Sequence, residues 1–489
     1  MTFPTKKYLF SLLMVFALGS SCTKEFDAMN TDPNNPTAIG SQFLLPYAIE
    51  TSVDRYWGGR TRFERLNLDG MMLWMQYLSR NIYSNEGDNY GVSPALNNNN
   101  WKAFYNEGLL NFQRIIVQSG EGGKLPNANY EGIALVMRSW VFSLLTDTFG
   151  AIPYTDALRG LDATPVYSPT YDSQEAVYAA LLDDLKRANE KLDPAGPPVS
   201  GDILYNNDIR KWKKFANSLR LRLANRQAAK KPAESRAVMA EILGDPAMYP
   251  VFEGPDDNAT LKHTTVLPSN NEWHQVMIQE GRTDWNISQT LADKLNALQD
   301  TRITVFAQPK GGKYEGIPNG LPDAIATTYL STAAGLGTYF TQASTPSVVM
   351  THAELQFILA EAALDGDIPG NGAAYFEEGV KSSFKQYGLD VPADYLGQFA
   401  AVTKETVMEQ KWIALFGQGV EAWTEYRRTG LPVLPARDPR SVFENDAVLP
   451  TRLKYPASEE TLNAAHLQGG IDLNGGPDNM KTKLWWTEN

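Results

Sequence analysis

The chain's only thiol, Cys22, is the residue whose setting speaks most directly of covalent chemistry. Lys6 and Lys7 give a basic start, Tyr8 to Leu18 an apolar run, and Gly19, Ser20 and Ser21 a stretch of small residues. These are the three parts of a secretory signal. The apolar run is too short to span a bilayer, which takes ~20 apolar residues. A cysteine directly after the small residues reads as a lipoprotein signal. The peptide is cut before Cys22, whose thiol and new amine are acylated. The blander reading is a plain secretory signal with a stray, reactive thiol behind it. Gly19-Ser20-Ser21-Cys22 is also looser than the strict lipobox, which has a Leu-like residue three before the cysteine.

Other chemistry finds less support. His263, His274, His352 and His466 show no metal-ligand spacing. H-E-x-x-H, G-x-S-x-G, Walker A and G-x-G-x-x-G are all missing from the sequence. His352, at a helix start, reads as a surface residue. Asp365-Gly366-Asp367 with Asn371 loosely resembles a calcium loop but lacks the EF-hand spacing and its Glu, so it reads as a turn. Two carboxylates could in principle hydrolyse a glycoside, but nothing singles out a pair. Neither an enzyme, a cofactor nor a metal is expected.

The chain of 489 residues carries a net charge of −12, and loss of Lys6 and Lys7 with the signal makes the mature chain more acidic still. Such a chain is a poor nucleic-acid binder and gains nothing from an anionic membrane. A neutral ligand or a protein partner fits better. One cysteine allows no internal disulfide, so stability must come from packing.

The elements that would position a site are mostly helical. Residues 1–21 are the signal peptide, and 22–38, dense in Pro and Asn, a lipidated tether. A helical body covers about 39–245 and 351–430. Phe63, Leu66, Leu68, Met71, Met72, Met75 and Leu78 follow helical spacing across 62–83. Residues 131–146 are apolar almost all round, which predicts a central helix. In 209–224, Ile209, Trp212, Phe215, Ala216, Leu219 and Leu223 form one stripe. Arg210, Lys211, Lys213, Lys214, Arg220 and Arg222 between them read as a solvated face. Residues 246–350 lose the periodicity and read as an irregular, loop-rich inserted subdomain. Thr351-His352-Ala353-Glu354 is a capping box that restarts helix. The segment 431–489 is again irregular, with a short helix near Ser458 to His466. The expected fold is therefore mostly α, an α-solenoid of TPR-like helix pairs with an inserted subdomain, all within one domain over 39–489. No fixed-period repeat is visible.

Five segments carry a family resemblance. They are Asp147-Thr148-Phe149-Gly150-Ala151-Ile152-Pro153-Tyr154-Thr155-Asp156, Trp212 to Arg222, Ala353 to Ala362, Gln410 to Phe416 with Glu421-Ala422-Trp423 and Arg427 to Pro432, and Arg452 to Pro456. In this order, behind a lipoprotein signal, they resemble the SusD/RagB family of outer-membrane nutrient-binding lipoproteins. The resemblance implies a Bacteroidetes lipoprotein facing the cell exterior, where looser lipoboxes are usual. Glu25 and Asp27 behind Cys22 are similar to the export signal of such proteins. It also implies non-enzymatic binding of a glycan and its delivery to a SusC-like TonB-dependent transporter. A RagB-like alternative is a peptide ligand, and a glycoside hydrolase is a more distant one.

The motifs themselves read as scaffold. Trp212, Phe215, Phe357, Trp412 and Trp423 lie on apolar stripes, while Asn217, Glu361 and Arg427 are placed to hydrogen-bond between helices. A sugar needs aromatic faces beside hydrogen-bonding side chains. Two regions off the core stripes offer that mixture. One is Tyr77, Arg80, Asn81, Tyr83 and Tyr90, leading through Asn97 to Asn100 into Trp101. The other is Trp273, Trp285 and Asn286. Four consecutive asparagines make a poor helix, which predicts an exposed Trp101. The competing reading is that Trp101 opens a helix with Phe104, Leu109, Phe112 and Ile115 and packs beneath it.

Overall fold

The computed structural model describes residues 39–487, apart from 59, 60, 161, 163 and 400. Cys22, the signal peptide and the tether lie outside the described residues. The chain is mostly helical, as expected. Helix α1 (Ser41–Trp57) leads to strand β1 (Leu78–Arg80) and helices α2 (Pro94–Ala103), α3 (Leu110–Ser119), α4 (Ala128–Phe149), α5 (Gln174–Lys191), α6 (Ile209–Gln227) and α7 (Pro232–Gly244). Each of α3 to α6 packs on the next. The later helices are α8 (Gln289–Ala297), α9 (His352–Leu364), α10 (Gly372–Gln386), α11 (Lys404–Ala414) and α12 (Gly419–Thr429). Helix α9 packs on α10, α11 and α6, which joins the two helical stretches.

Local chemistry sets the helix ends. The Asn127, Ser173, Asp208, Thr351, Asn371 and Thr403 side chains each accept a backbone N–H of the first turn they precede. Helix α4 stops at Gly150, whose φ is 87°. A Cβ there would meet Asn474 Oδ1 at 2.1 Å. Only glycine serves both the turn and the close approach.

Residues 62–83 depart from the expected helix. The chain instead makes a 3-10 turn (Arg62–Glu64), a π turn (Asn67–Met71) and a short α turn (Met72–Trp74), then enters β1. The apolar positions are buried apart from Phe63. The spacing thus reports burial correctly. Conformation is set by distant partners: Asn67 Nδ2 donates to the carbonyls of Trp57 and Gly417 at 3.1 and 2.9 Å.

The insert is not separate from the helical body. Strands β2 (Ala259–Leu261), β3 (Trp285–Ile287), β4 (Ala307–Gln308), β5 (Gly335–Leu336) and β6 (Ser347–Met350) form two small antiparallel sheets. One has the order β1-β3-β5-β4, the other pairs β2 with β6. Strand β1 comes from the first helical stretch.

Two further expectations are corrected. Arg220 and Arg222 are not solvated. They are buried against Glu241 and Glu354, at 2.6 and 2.5 Å. His352 is buried as well, with Nδ1 2.9 Å from Ser382 Oγ and Nε2 2.9 Å from Gln356. Burial pushes its pKa down to about 4.

At the centre, charges from five helices close on one another. Arg226 of α6 meets Asp147 of α4 at 2.7 Å and also pairs with Glu421 and Glu425 of α12. Lys411 of α11 reaches Glu425 at 2.7 Å. Arg428 bridges Glu425 and Glu361, both at 2.7 Å. Arg427 donates to the carbonyls of Asp147 and Thr451 at 2.7 and 2.9 Å. Glu361 and Arg427 thus bond between helices, as read from the sequence, while Arg226 and Glu425 lie outside the motif segments.

Candidate ligand-binding site

Pairing of β1 with β3 sets Arg80 opposite Trp285 and Ser79 opposite Asn286. The two separate sequence regions therefore meet at one sheet edge. The Arg80 guanidinium lies 4.6 Å from the Trp285 ring centroid. It also pairs with Asp69 at 2.8 Å and Asp284 at 3.1 Å. Asn81 Nδ2 donates to Asn286 Oδ1 at 2.8 Å and to the Thr283 carbonyl at 2.6 Å. Arg282 continues outward, 5.9 Å from the Trp285 ring and 5.7 Å from that of Tyr83. Cation and ring thus alternate from the buried Arg80 to the surface.

Tyr83 ends the series and is 41% exposed. Its backbone is held in the left-handed region, at φ 58°. The cause is Asp323. Its carboxylate accepts the Tyr83 N–H at 3.1 Å, the Ser84 N–H at 2.9 Å and the Ser84 hydroxyl at 2.8 Å. Burial raises the pKa of this carboxyl, but the Ser84 and Tyr83 bonds outweigh it and hold it below the ordinary range.

The same turn supplies Asn85 and Glu86 to a cavity of about 390 Å³. Phe63, Asp69, Ser93 and Glu444 also line it. Phe63 is 45% exposed. Asp69 closes the inner side; burial pushes its carboxyl up to about 6 despite the Arg80 charge. The exposed Phe63 ring thus lines a polar hollow of amide, hydroxyl and carboxylate groups, and the exposed Tyr83 belongs to the turn that supplies two of them. Apolar ring faces suit stacking, and the polar groups suit hydroxyls.

The remaining expected contact residues pack internally. Tyr77 lies buried under α11, its hydroxyl donating to the Trp412 carbonyl at 2.5 Å. Tyr90 is buried against Trp74, with Arg437 Cζ 4.4 Å from its ring. Trp273 Nε1 donates to the Trp57 carbonyl at 3.0 Å, inside the body. Arg80, Asn81 and Trp285 are buried and support Tyr83 from behind. Their side chains are packed against other parts of the protein, which leaves little surface for a ligand. Trp101 is only 5% exposed and packs edge-on against Phe149 at 4.8 Å. The four asparagines before it are helical, not a loop. Their amides offset poor propensity through bonds from Asn97 to the Lys454 carbonyl, Asn99 to Phe63 and Asn100 to Leu96. Arg282, Asp323 and Glu444 escape sequence reasoning because no spacing links them to Tyr83.

A family model described as starch-binding, associating with the outer membrane, matches residues 33–456. The chain belongs to the SusD-like family. The family is carbohydrate-binding rather than catalytic and associates with the outer membrane. A chitin-binding protein is similar to this SusD-like chain with a TM-score of 0.81 and 28% identity, covering 92% of this chain and 100% of its own. A SusD homologue from Bacteroides uniformis has a TM-score of 0.77 and 25% identity, over 91% and 100% of the two chains. A chitin-binding SusD homologue from Flavobacterium johnsoniae shares the fold with a TM-score of 0.77 and 24% identity, over 91% and 99%. No curated protein matches. Among the described residues no helix is long and apolar enough to cross a membrane.

Proposed function

We propose that this SusD-like protein binds a neutral oligosaccharide at the face that carries Tyr83 and the cavity lined by Phe63, Asn85 and Glu86, without cleaving it. One observation carries the reading. Tyr83 presents a ring to solvent from a backbone fixed by Asp323, while the other aromatic residues expected at a site are buried. A ring held in place loses little entropy on stacking. The 28% identical relative is a chitin-binding protein, which supports a glycan as the ligand. Cys22 anchors the chain by acylation to the outer face of the outer membrane, with residues 23–38 as the tether. From there the glycan passes to a SusC-like TonB-dependent transporter.

The test is a glycan array, followed by calorimetry with chitin- and starch-derived oligosaccharides, on the soluble form lacking residues 1–22. Binding of one neutral glycan class without sugar release is expected. Binding of peptides alone, or hydrolysis abolished by a single carboxylate substitution, overturns the reading. Co-purification of the lipidated protein with a TonB-dependent transporter tests the delivery step.

A further inference from the structure

Helix α2 separates two hollows. Ser93 before its start and Leu96 on its first turn line the cavity beside Phe63 and Asp69. Asn98, Trp101 and Lys102 line a second cavity, of about 260 Å³, toward its other end. Segments near Pro153, Tyr167 and Leu462 complete that second cavity.

Four properties set the second cavity apart from a packing defect. Its floor is aromatic: Trp101 and Tyr105 lie 5.1 Å apart, and Tyr105 is fixed by a 2.7 Å bond to the Pro153 carbonyl. Its lips are large side chains left in water, Tyr167 at 80% and Leu462 at 75% exposure. Among the described residues no hydrogen bond or ring contact holds Tyr167. Leu158 in its wall has a φ of 65°, a strained setting for a side-chain-bearing residue. Finally, Asn98 lines the cavity and keeps a buried Oδ1 without a hydrogen-bond partner.

Size and spacing indicate what fits. The cavity is below the roughly 300–1,000 Å³ of sites that enclose a whole small molecule, so it takes one ring of something longer. Leu96 and Trp101 are about 7.5 Å apart along the helix axis, at ~1.5 Å per residue. One chain of linked rings can therefore reach both hollows. Half-buried Asn98 and Asn99 and exposed Lys102 lie along the path. Asn99 ties this path to the first hollow, since its amide donates to the Phe63 carbonyl at 3.2 Å.

We infer that the cavity beneath Tyr167 is a second subsite, which takes one pyranose ring of the same neutral glycan chain that stacks on Tyr83, so that the ligand is an oligosaccharide of several rings lying along α2. This rests on the glycan reading above.

Calorimetry with two-ring and six-ring oligomers of N-acetylglucosamine and of glucose tests it, on the wild type, Tyr167→Ala and Tyr83→Ala. Tyr167→Ala should weaken six-ring binding at least several-fold, spare two-ring binding and leave the melting temperature unchanged. Tyr83→Ala should weaken both lengths. Wild-type six-ring affinity in Tyr167→Ala, or equal weakening of both lengths, overturns the second subsite while the first stands. Failure of the wild type to bind any of these oligomers overturns both readings.

Discussion

Tyr77 and Trp412 lie face to face, ring centroids 4.9 Å apart and planes tilted by 13°, although 335 residues separate them. The Trp412 indole N–H also donates to the Met75 carbonyl at 3.0 Å. This contact pins the irregular turn before β1 onto α11. The Trp412→Ala variant is expected to lose ~3–5 kcal/mol of stability, the range for truncating a buried aromatic. Denaturant unfolding checks it. An unchanged midpoint with lost glycan binding would move Trp412 from the core to the site.

Tyr83→Ala removes an exposed ring, so the melting temperature should stay where it is. Stacking of aromatic faces is worth ~0.5–1.5 kcal/mol, so glycan affinity should fall several-fold. Calorimetry beside a thermal melt separates the two effects.

Asp323→Ala leaves the Tyr83 ring but removes the acceptor of three hydrogen bonds that hold its backbone. The turn can then relax from φ 58° toward ordinary values. Affinity should drop about as far as in Tyr83→Ala, with a small change in global stability. Wild-type affinity in this variant would show that the setting of the ring is irrelevant.

His352 makes stability depend on pH in a defined window. Its folded pKa is about 4, below the ordinary value of 6.5. As pH falls from 6.5 to 4 the unfolded chain takes a proton that the folded chain refuses, a loss of about 3 kcal/mol. Asp69 acts the other way. Its carboxyl is raised from 3.8 to about 6, so the folded chain keeps a proton that the unfolded chain releases, and acid favours the fold. Urea unfolding at pH 4.5 and 7 should show the steepest acid loss in Asp69→Asn and the shallowest in His352→Gln.

Cys22→Ala should leave the protein unacylated and lost from the membrane fraction. Mass spectrometry of the mature N-terminus is the direct check. An unmodified terminus at any residue other than 22 would sink the anchoring proposal. Two or more acyl chains give the stable attachment that one chain cannot.

Elements were legible in the sequence where the signal is local. Helix α4 is apolar all round and begins at a capping Asn127; α9 begins at Thr351, whose side chain accepts the Glu354 N–H at 3.0 Å. Both stand where the pattern puts them. The Glu354 carboxylate, though, turns to Arg222 in the core, which spacing alone does not reveal. The site was only half legible. Trp273 and Tyr83 both sit among polar residues in irregular segments. What buries one is Trp57, 216 residues away, and what exposes the other is a turn set by Asp323, about as distant. A single sequence records composition near a residue, and the choice between core and surface was made by partners far along the chain.

The central charge cluster makes the fold wait for its own end. Asp147 and Arg226 belong to the first half of the chain, yet their partners include Glu421 and Glu425, and the Trp486 indole N–H reaches Asp147 at 3.0 Å. Until those residues arrive, helices α4 and α6 carry charges that cannot be buried without a cost of several kcal/mol each. The early helices therefore have no finished state of their own. Contacts that span most of the sequence must close before this core is complete, which makes its completion a slow, late step of folding.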